Sequence, residues 1–292
     1  MKLDAFLERI YEKNYKKLML VSFGILVLSI AVLAFNYLST GSIIERDISL
    51  KGGISITIEE LGLDESEISS YLDAKFENVN VRTLTDLSTR ENIGLIIESS
   101  SLNEDEIKSA LKERIDFTEK QYSSESYSSS FSESFFRQLL LVLLFAFVLM
   151  AIVVFLTFRT FIPSIAVILA ALTDIIGTVA VISLFNMQMS ASGITALLLV
   201  IGYSIDTDVL LTTKLIKRTM GTMYERFAQA LKTGLTMTLT SMIAVLVGFL
   251  FSAASVLKDI FIIIFIALIF DIISTYLGNA SMLIWHIKSK KS

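Results

Sequence analysis

Residues 18–38 read LMLVSFGILVLSIAVLAFNYL, and none of the 27 positions between Lys17 and Glu45 is charged. At ~1.5 Å per residue, such a run crosses a hydrocarbon layer of ~30 Å as a single helix. Lys13, Lys16 and Lys17 in front of it would also suit the basic end of a secretory signal peptide. The apolar run is too long for that, and Ser39-Thr40-Gly41 is not a cleavage site, so the segment is expected to stay as a span. Five stretches of the same character follow at 135–158, 161–185, 193–213, 233–253 and 260–285. The reading is an α-helical polytopic membrane protein with six transmembrane helices.

Composition agrees with that reading. Of 292 residues, 53% are hydrophobic and 18% charged, and the mean hydropathy is +0.68. Without cysteine there is no disulfide, no thiolate nucleophile and no Cys-based metal site, and His286 alone cannot build a histidine site. No metal and no cofactor are expected. Lys/Arg concentrate in the N-terminal segment 1–17, at Arg159, in 214–232 and in the tail 286–292, whereas the alternate short loops hold only Lys258. By the positive-inside rule both termini are cytoplasmic, and 39–134 lies outside a cell membrane, ahead of a five-helix bundle over 135–285. The net charge of −4 divides accordingly, with 20 Asp/Glu against 9 Lys/Arg in the outside segment. An acidic exterior argues against nucleic acid as a partner. Residues 214–232 interleave Leu215, Ile216, Met220, Tyr224 and Phe227 with basic residues, a pattern that suits either an anionic inner leaflet or a solvated loop.

In the exterior segment, 53–58 alternates apolar and polar residues as a strand does, and Asp64-Glu65-Ser66-Glu67 opens a helix through Ile68, Leu72 and Phe76. Strand-like stretches follow at 79–87 and 93–98, with a turn at 88–92. Asn103-Glu104-Asp105-Glu106 starts a second helix, and 117–127 supplies a last strand. The order β-α-β-β-α-β predicts a ferredoxin-like α+β domain. Gly52-Gly53 suits a bulge or a tight start to the first strand better than a ligand loop. Ser-rich 123–134 reads as an extended or flexible connector. The chain carries no G-x-S-x-G, P-loop or H-E-x-x-H pattern, so no catalytic residues are assigned and a non-enzymatic role is expected. A sheet edge of the exterior domain could bind extended polypeptide through main-chain hydrogen bonds alone.

Four carboxylates fall within the spans: Asp174, Asp206, Asp208 and Asp271. A charge at bilayer centre costs about 2.5–3.5 kcal/mol on insertion scales, so such acids normally face a bundle interior or water path. Each can alternate between neutral and charged forms as protons cross. Thr178 and Thr275 stand one turn after Asp174 and Asp271 on the same helical faces. Asp206 and Asp208 point ~200° apart on a regular helix and cannot face one partner. The plainer alternative makes the acids interhelical glue. Small and hydroxyl residues at 233–241 fit close helix packing, and Asn279-Ala280-Ser281 is an accidental glycosylation sequon.

As a set these residues resemble the SecF family of protein-export membrane proteins in its archaeal form, part of the SecD/SecF family and related to resistance-nodulation-division transporters. The matches are Leu50-Lys51-Gly52-Gly53, Leu172-Thr173-Asp174-Ile175-Ile176-Gly177-Thr178, Ile201-Gly202-Tyr203-Ser204-Ile205-Asp206-Thr207-Asp208, Lys232-Thr233-Gly234-Leu235-Thr236-Met237-Thr238, and Asp271 with Ser274-Thr275-Tyr276 and Asn279-Ala280. The resemblance implies a multi-pass subunit of the Sec machinery. Its partners would be SecD, a SecY-type channel, unfolded exported polypeptide and the lipid bilayer, and it would draw on the proton gradient. Proton or ion coupling would fall to Asp206, Asp174, Asp271 and Asp208, in that order, supported by Thr178, Thr275, Thr207, Tyr203 and Lys232. The alternatives are a proton-coupled small-solute exporter subunit and a non-coupling scaffold.

Overall fold

The computed structural model describes residues 3–60, 62–76, 79–85, 92–115, 117–118, 121–252 and 255–290. In chain order the elements begin with α1 (Leu3–Thr40), a single turn α2 (Ile48–Lys51), β1 (Gly53–Ile58), α3 (Glu65–Lys75), β2 (Val79–Thr85), β3 (Asn92–Ser99), α4 (Glu104–Lys112) and β4 (Tyr122–Tyr127). The membrane bundle continues with α5 (Ser129–Phe158), α6 (Phe161–Leu184), α7 (Ala191–Thr212), α8 (Met223–Phe251), α9 (Ser255–Ile273) and α10 (Ala280–Ser289). A turn of π-helix, Thr213–Lys217, extends α7, and another, Ser274–Asn279, joins α9 to α10. Among the described residues six helices are long and apolar enough to span a membrane, the last running from Val256 to Ser289.

Helices α6, α7 and α9 form the centre of the bundle. Ala166, Ala170, Ala171, Gly177 and Ala180 are buried along α6, and such small side chains let neighbouring backbones approach closely. By contrast α1, α5 and α8 leave most of their apolar side chains exposed, as hydrocarbon permits.

The segment between the first two spans forms, in its described residues, an antiparallel sheet of order β2-β3-β1-β4. Ile54, Ile56 and Ile58 of β1 share one face with Val81, Leu95 and Ile97, and that face packs on Ile68 and Leu72 of α3 and Ile107 and Leu111 of α4. Period-2 alternation in the strands thus meets period-3.6 stripes in the helices. Asp64 caps α3 by accepting from Ser66 N at 2.8 Å, and Asn103 and Glu106 form a capping box on α4. The turn expected at 88–92 lies almost wholly outside the described residues.

Several expectations are corrected by packing. Of Ser-rich 123–134, residues 123–127 are extended and pair with β1 at a sheet edge, as the expected last strand, but 129–134 is no connector, because α5 begins at Ser129. Segment 1–17 is no separate tail, because from Leu3 it is one helix with the first span, with Leu7 and Tyr11 buried. In 214–232, Leu215 and Phe227 do not lie on a lipid surface. They are buried with Leu7, Tyr11, Leu283 and Ile284, closing that end of the bundle.

At the other end the sheet domain is anchored. Met189 N donates to Glu45 O at 2.7 Å, Asp47 N donates to Met189 O at 2.9 Å, and Leu50 inserts among Ile182, Met189, Ile194 and Leu197. Gly52 (φ 84°) and Gly53 (φ 134°) turn the chain into β1 where a Cβ would strike the backbone of Ser129 and Ser99. The pair therefore makes the tight start to the strand.

Candidate functional site

Depth in the spans and a central position in the bundle bring three of the four intramembrane acids together. Asp174 on α6, Asp208 on α7 and Asp271 on α9 are each 1% exposed or less. Hydroxyl and amide side chains from three segments, α7, α8 and the π turn Ser274–Asn279, donate to them. Asp174 accepts from Ser204 of α7 on one oxygen and from Ser274 of the π turn on the other, both at 2.5 Å. Asp271 Oδ1 accepts from Thr207 at 2.8 Å and Thr275 at 3.3 Å, and its Oδ2 accepts from Thr238 of α8 at 3.3 Å. Asp208 Oδ1 accepts from Thr275 at 2.9 Å and from Asn279 Nδ2 at 2.7 Å.

Asp206, ranked first from the sequence, lies elsewhere. It is exposed on the outer side of α7 and makes no side-chain hydrogen bond among the described residues. The ~200° divergence from Asp208 is realised, and the face carrying Ser204, Thr207, Asp208 and Leu211 is the buried one. Thr207 and Thr275 join the cluster. Thr178 does not serve the carboxylate, because its hydroxyl donates to the Asp174 backbone carbonyl at 2.6 Å. Lys232 is exposed on α8, and Tyr203 is half-buried with an unpartnered hydroxyl.

Ser204, Ser274, Thr238 and Asn279 were not identified from the sequence as parts of this site. Ser204 and Ser274 reach Asp174 from other helices, which face-counting on α6 cannot reveal. Asn279 ends the π turn Ser274–Asn279, where counting 100° per residue from Asp271 fails. Thr238 is the buried member of a threonine-rich stretch, while Thr236 and Thr240 face outward and donate to carbonyls of their own helix. Nearby, Gly234 fits only because a Cβ there would meet the Tyr276 hydroxyl.

Asp208 and Asp271 share the Thr275 hydroxyl, and carboxylates gathered in a low-dielectric interior repel strongly when charged. None of the ion pairs among the described residues involves them. A mainly apolar cavity of about 40 Å³ adjoins the cluster, where Met19, Phe23, Leu26 and Met282 line it together with Ser274 and Asn279.

A polar space of about 330 Å³ separates the open face of the sheet from the adjoining end of the bundle. Asp47, Arg82, Glu98, Glu125 and Asp259 line it. Burial pushes the Glu98 carboxyl above the usual glutamate range, against the pull of Arg82 beside it and with a further push from Asp47.

Residues 106–289 match the family described as "Protein export membrane protein SecD/SecF, C-terminal". The protein-export membrane protein SecF of Methanolacinia petrolearia is 37% identical over 277 residues, covering 94% of this chain and 94% of its own length. The SecF proteins of Methanocaldococcus jannaschii (35% identical, 94% of this chain, 96% of its own) and Pyrococcus furiosus (31%, 98% and 95%) are also similar. The crystal structure of SecDF, a translocon-associated membrane protein from Thermus thermophilus, superposes with a TM-score of 0.73 at 18% identity over 96% of this chain. This chain spans 38% of that protein's length, and the likeness is one of fold.

Proposed function

The chain belongs to the SecD/SecF family of protein-export membrane proteins, on its archaeal SecF branch, and from that premise we propose that it is a non-enzymatic, ion-coupled subunit of the Sec machinery. It pairs with SecD in the cell membrane, near a SecY-type channel, with both termini cytoplasmic. The exterior domain is ferredoxin-like: element order β-α-β-β-α-β and strand order β2-β3-β1-β4, with α3 and α4 on one face, support this. It contacts emerging polypeptide and moves relative to the bundle as the buried acids gain and lose protons.

The observation that carries this reading is the meeting of Asp174, Asp208 and Asp271 in the bundle centre without a basic partner among the described residues. Acids that merely glued helices would each need one hydroxyl donor from a neighbour. Here Thr275 serves two carboxylates at once, so protonating one rearranges the other's hydrogen bonds. Coupling follows from that sharing.

The test is export of a secreted reporter in cells lacking the native copy, with single Asn replacements at Asp174, Asp208, Asp271 and Asp206. Loss of export in the three buried variants, with the SecD complex still assembled, supports coupling. Undiminished export in all four would end it.

A further inference from the structure

The chain reverses between α5 and α6 at Arg159-Thr160, and Arg159 makes that turn in the left-handed region (φ 52°), where glycine is the ordinary occupant. Glycine would make the turn at less cost, so the guanidinium is what the arginine adds. It is exposed and joins none of the ion pairs among the described residues.

A second cation reaches the same helix end. Lys217, on the π turn that extends α7, donates to the Thr157 carbonyl at 2.9 Å and stands 5.3 Å from the centre of the Phe158 ring. An ammonium has three donors, so two are left. No acidic residue occurs between Glu133 and Asp174 or between Asp208 and Glu225, and Glu225 is turned back to accept from Thr222 N at 2.8 Å. Two cations thus stand at this end with no anion from their own segments to meet them.

Behind the turn an apolar groove of about 400 Å³ runs between the two helices, lined by Phe147, Ala151, Phe155 and Leu156 of α5 and Phe161 and Ile165 of α6. Leu156 and Phe161 bracket the Arg159-Thr160 turn, so the groove ends at the cations. From Phe147 to Leu156 it extends ~13 Å at ~1.5 Å per residue, close to half of a ~30 Å hydrocarbon layer. A further helix of ~10 Å diameter over that length would need ~1,000 Å³. The space suits one hydrocarbon tail and not a helix.

We propose that this groove, with Arg159 and Lys217 at its end, is a binding site for one anionic phospholipid. Its tail lies between α5 and α6, and its phosphate meets the guanidinium and the ammonium. Arginine offers phosphate a two-pronged fork and lysine a point charge. An acidic peptide would answer the charge and leave the groove unfilled. A zwitterionic lipid would bring a cation of its own toward the two already there.

The experiment titrates the full chain in detergent micelles with phosphatidylglycerol, or with phosphatidylcholine of the same chains, and reads individual lipid adducts by native mass spectrometry. The first phosphatidylglycerol is expected to bind at least about tenfold more tightly than phosphatidylcholine. Arg159→Gly, which suits the backbone of the turn, and Lys217→Gln should each erase most of that preference. Lys17→Gln, the same loss of charge on α1 outside the groove, should keep it. Ala151→Phe, which fills the groove, should weaken both lipids, and glycerol phosphate, a headgroup without tails, should not compete. If Ala151→Phe does not fold, the competition alone decides whether the tail counts. Equal affinity for the two lipids would overturn the proposal, as would a preference that survives Arg159→Gly with Lys217→Gln or falls equally in Lys17→Gln. Competition by glycerol phosphate as strong as that of the lipid, or undiminished binding to a folded Ala151→Phe chain, would do the same.

Discussion

The Thr275 hydroxyl lies 2.9 Å from Asp208 Oδ1 and 3.3 Å from Asp271 Oδ1, so one donor bridges carboxylates carried by two different helices. A single proton cannot fully satisfy both acceptors. Its position follows whichever carboxylate is charged, which links the two sites through one rotatable bond. Thr275→Val should therefore destabilise the chain by about 1–3 kcal/mol, as expected for unmet buried acceptors. Thr178→Val, which removes only a bond to its own helix, should cost less than about 1 kcal/mol. Denaturant unfolding of the two purified variants checks the contrast, and equal losses would contradict it.

Asp206 and Asp174 make a second contrast. Asp206→Asn alters an exposed side chain and should change the stability of the isolated chain by less than about 0.5 kcal/mol. Asp174→Ala strips Ser204 and Ser274 of their acceptor and opens a void, a loss of about 2–4 kcal/mol. Thermal unfolding of the chain without partners would reveal a wrong assignment as similar shifts for both.

Two glycines of the quoted motifs should respond oppositely to alanine. A Cβ at Gly177 would collide with the Phe270 ring, so Gly177→Ala should cost about 1–3 kcal/mol through overpacking of α6 on α9. Around Gly202 nothing lies within 4 Å of the added atom, and Gly202→Ala should stabilise α7 by up to about 1 kcal/mol. Melting temperatures moving in the same direction would refute this packing.

Glu98 predicts a pH dependence in the sheet domain. Its folded-state value is raised, mainly by burial, so the folded domain holds this proton more tightly than the unfolded chain. The stabilisation is complete below the ordinary glutamate value and is lost as pH rises through the higher folded value. Glu98→Gln, neutral throughout, should gain on the wild type over that window and show no such slope. Hydrogen exchange of β3 amides, compared at the two ends of the window, reads it directly.

The six spans were legible because the length and purity of an apolar run suffice to specify a membrane helix. Residues 18–38 needed no neighbour to be recognised. The exterior elements were legible too, because the alternation at 53–58 and the capping residues Asp64, Asn103 and Glu106 are local signals. The last strand was expected within 117–127 and 122–127 forms it, whereas the start of α5 at Ser129 was not read, because serines carry little apolar pattern to mark a helix. The depth of Asp174, Asp208 and Asp271 could be read along the chain. Their meeting could not, because Ser204, Ser274 and Thr238 come from helices far apart in sequence.

What the sequence alone determined is therefore the membrane class, the spans and the existence of costly acids within them. These follow from hydrophobicity and charge, properties that each segment carries by itself. Which acid faces inward was decided by tertiary structure. A helical wheel separates Asp206 from Asp208 by ~200° without saying which points to the core; packing of α7 against α6, α9 and the π turn buries Asp208 and leaves Asp206 exposed. The π turns Thr213–Lys217 and Ser274–Asn279 also belong to the tertiary level, because switching from i+4 to i+5 pairing is stabilised by contacts and hydrogen bonds from other helices, not by any local residue code.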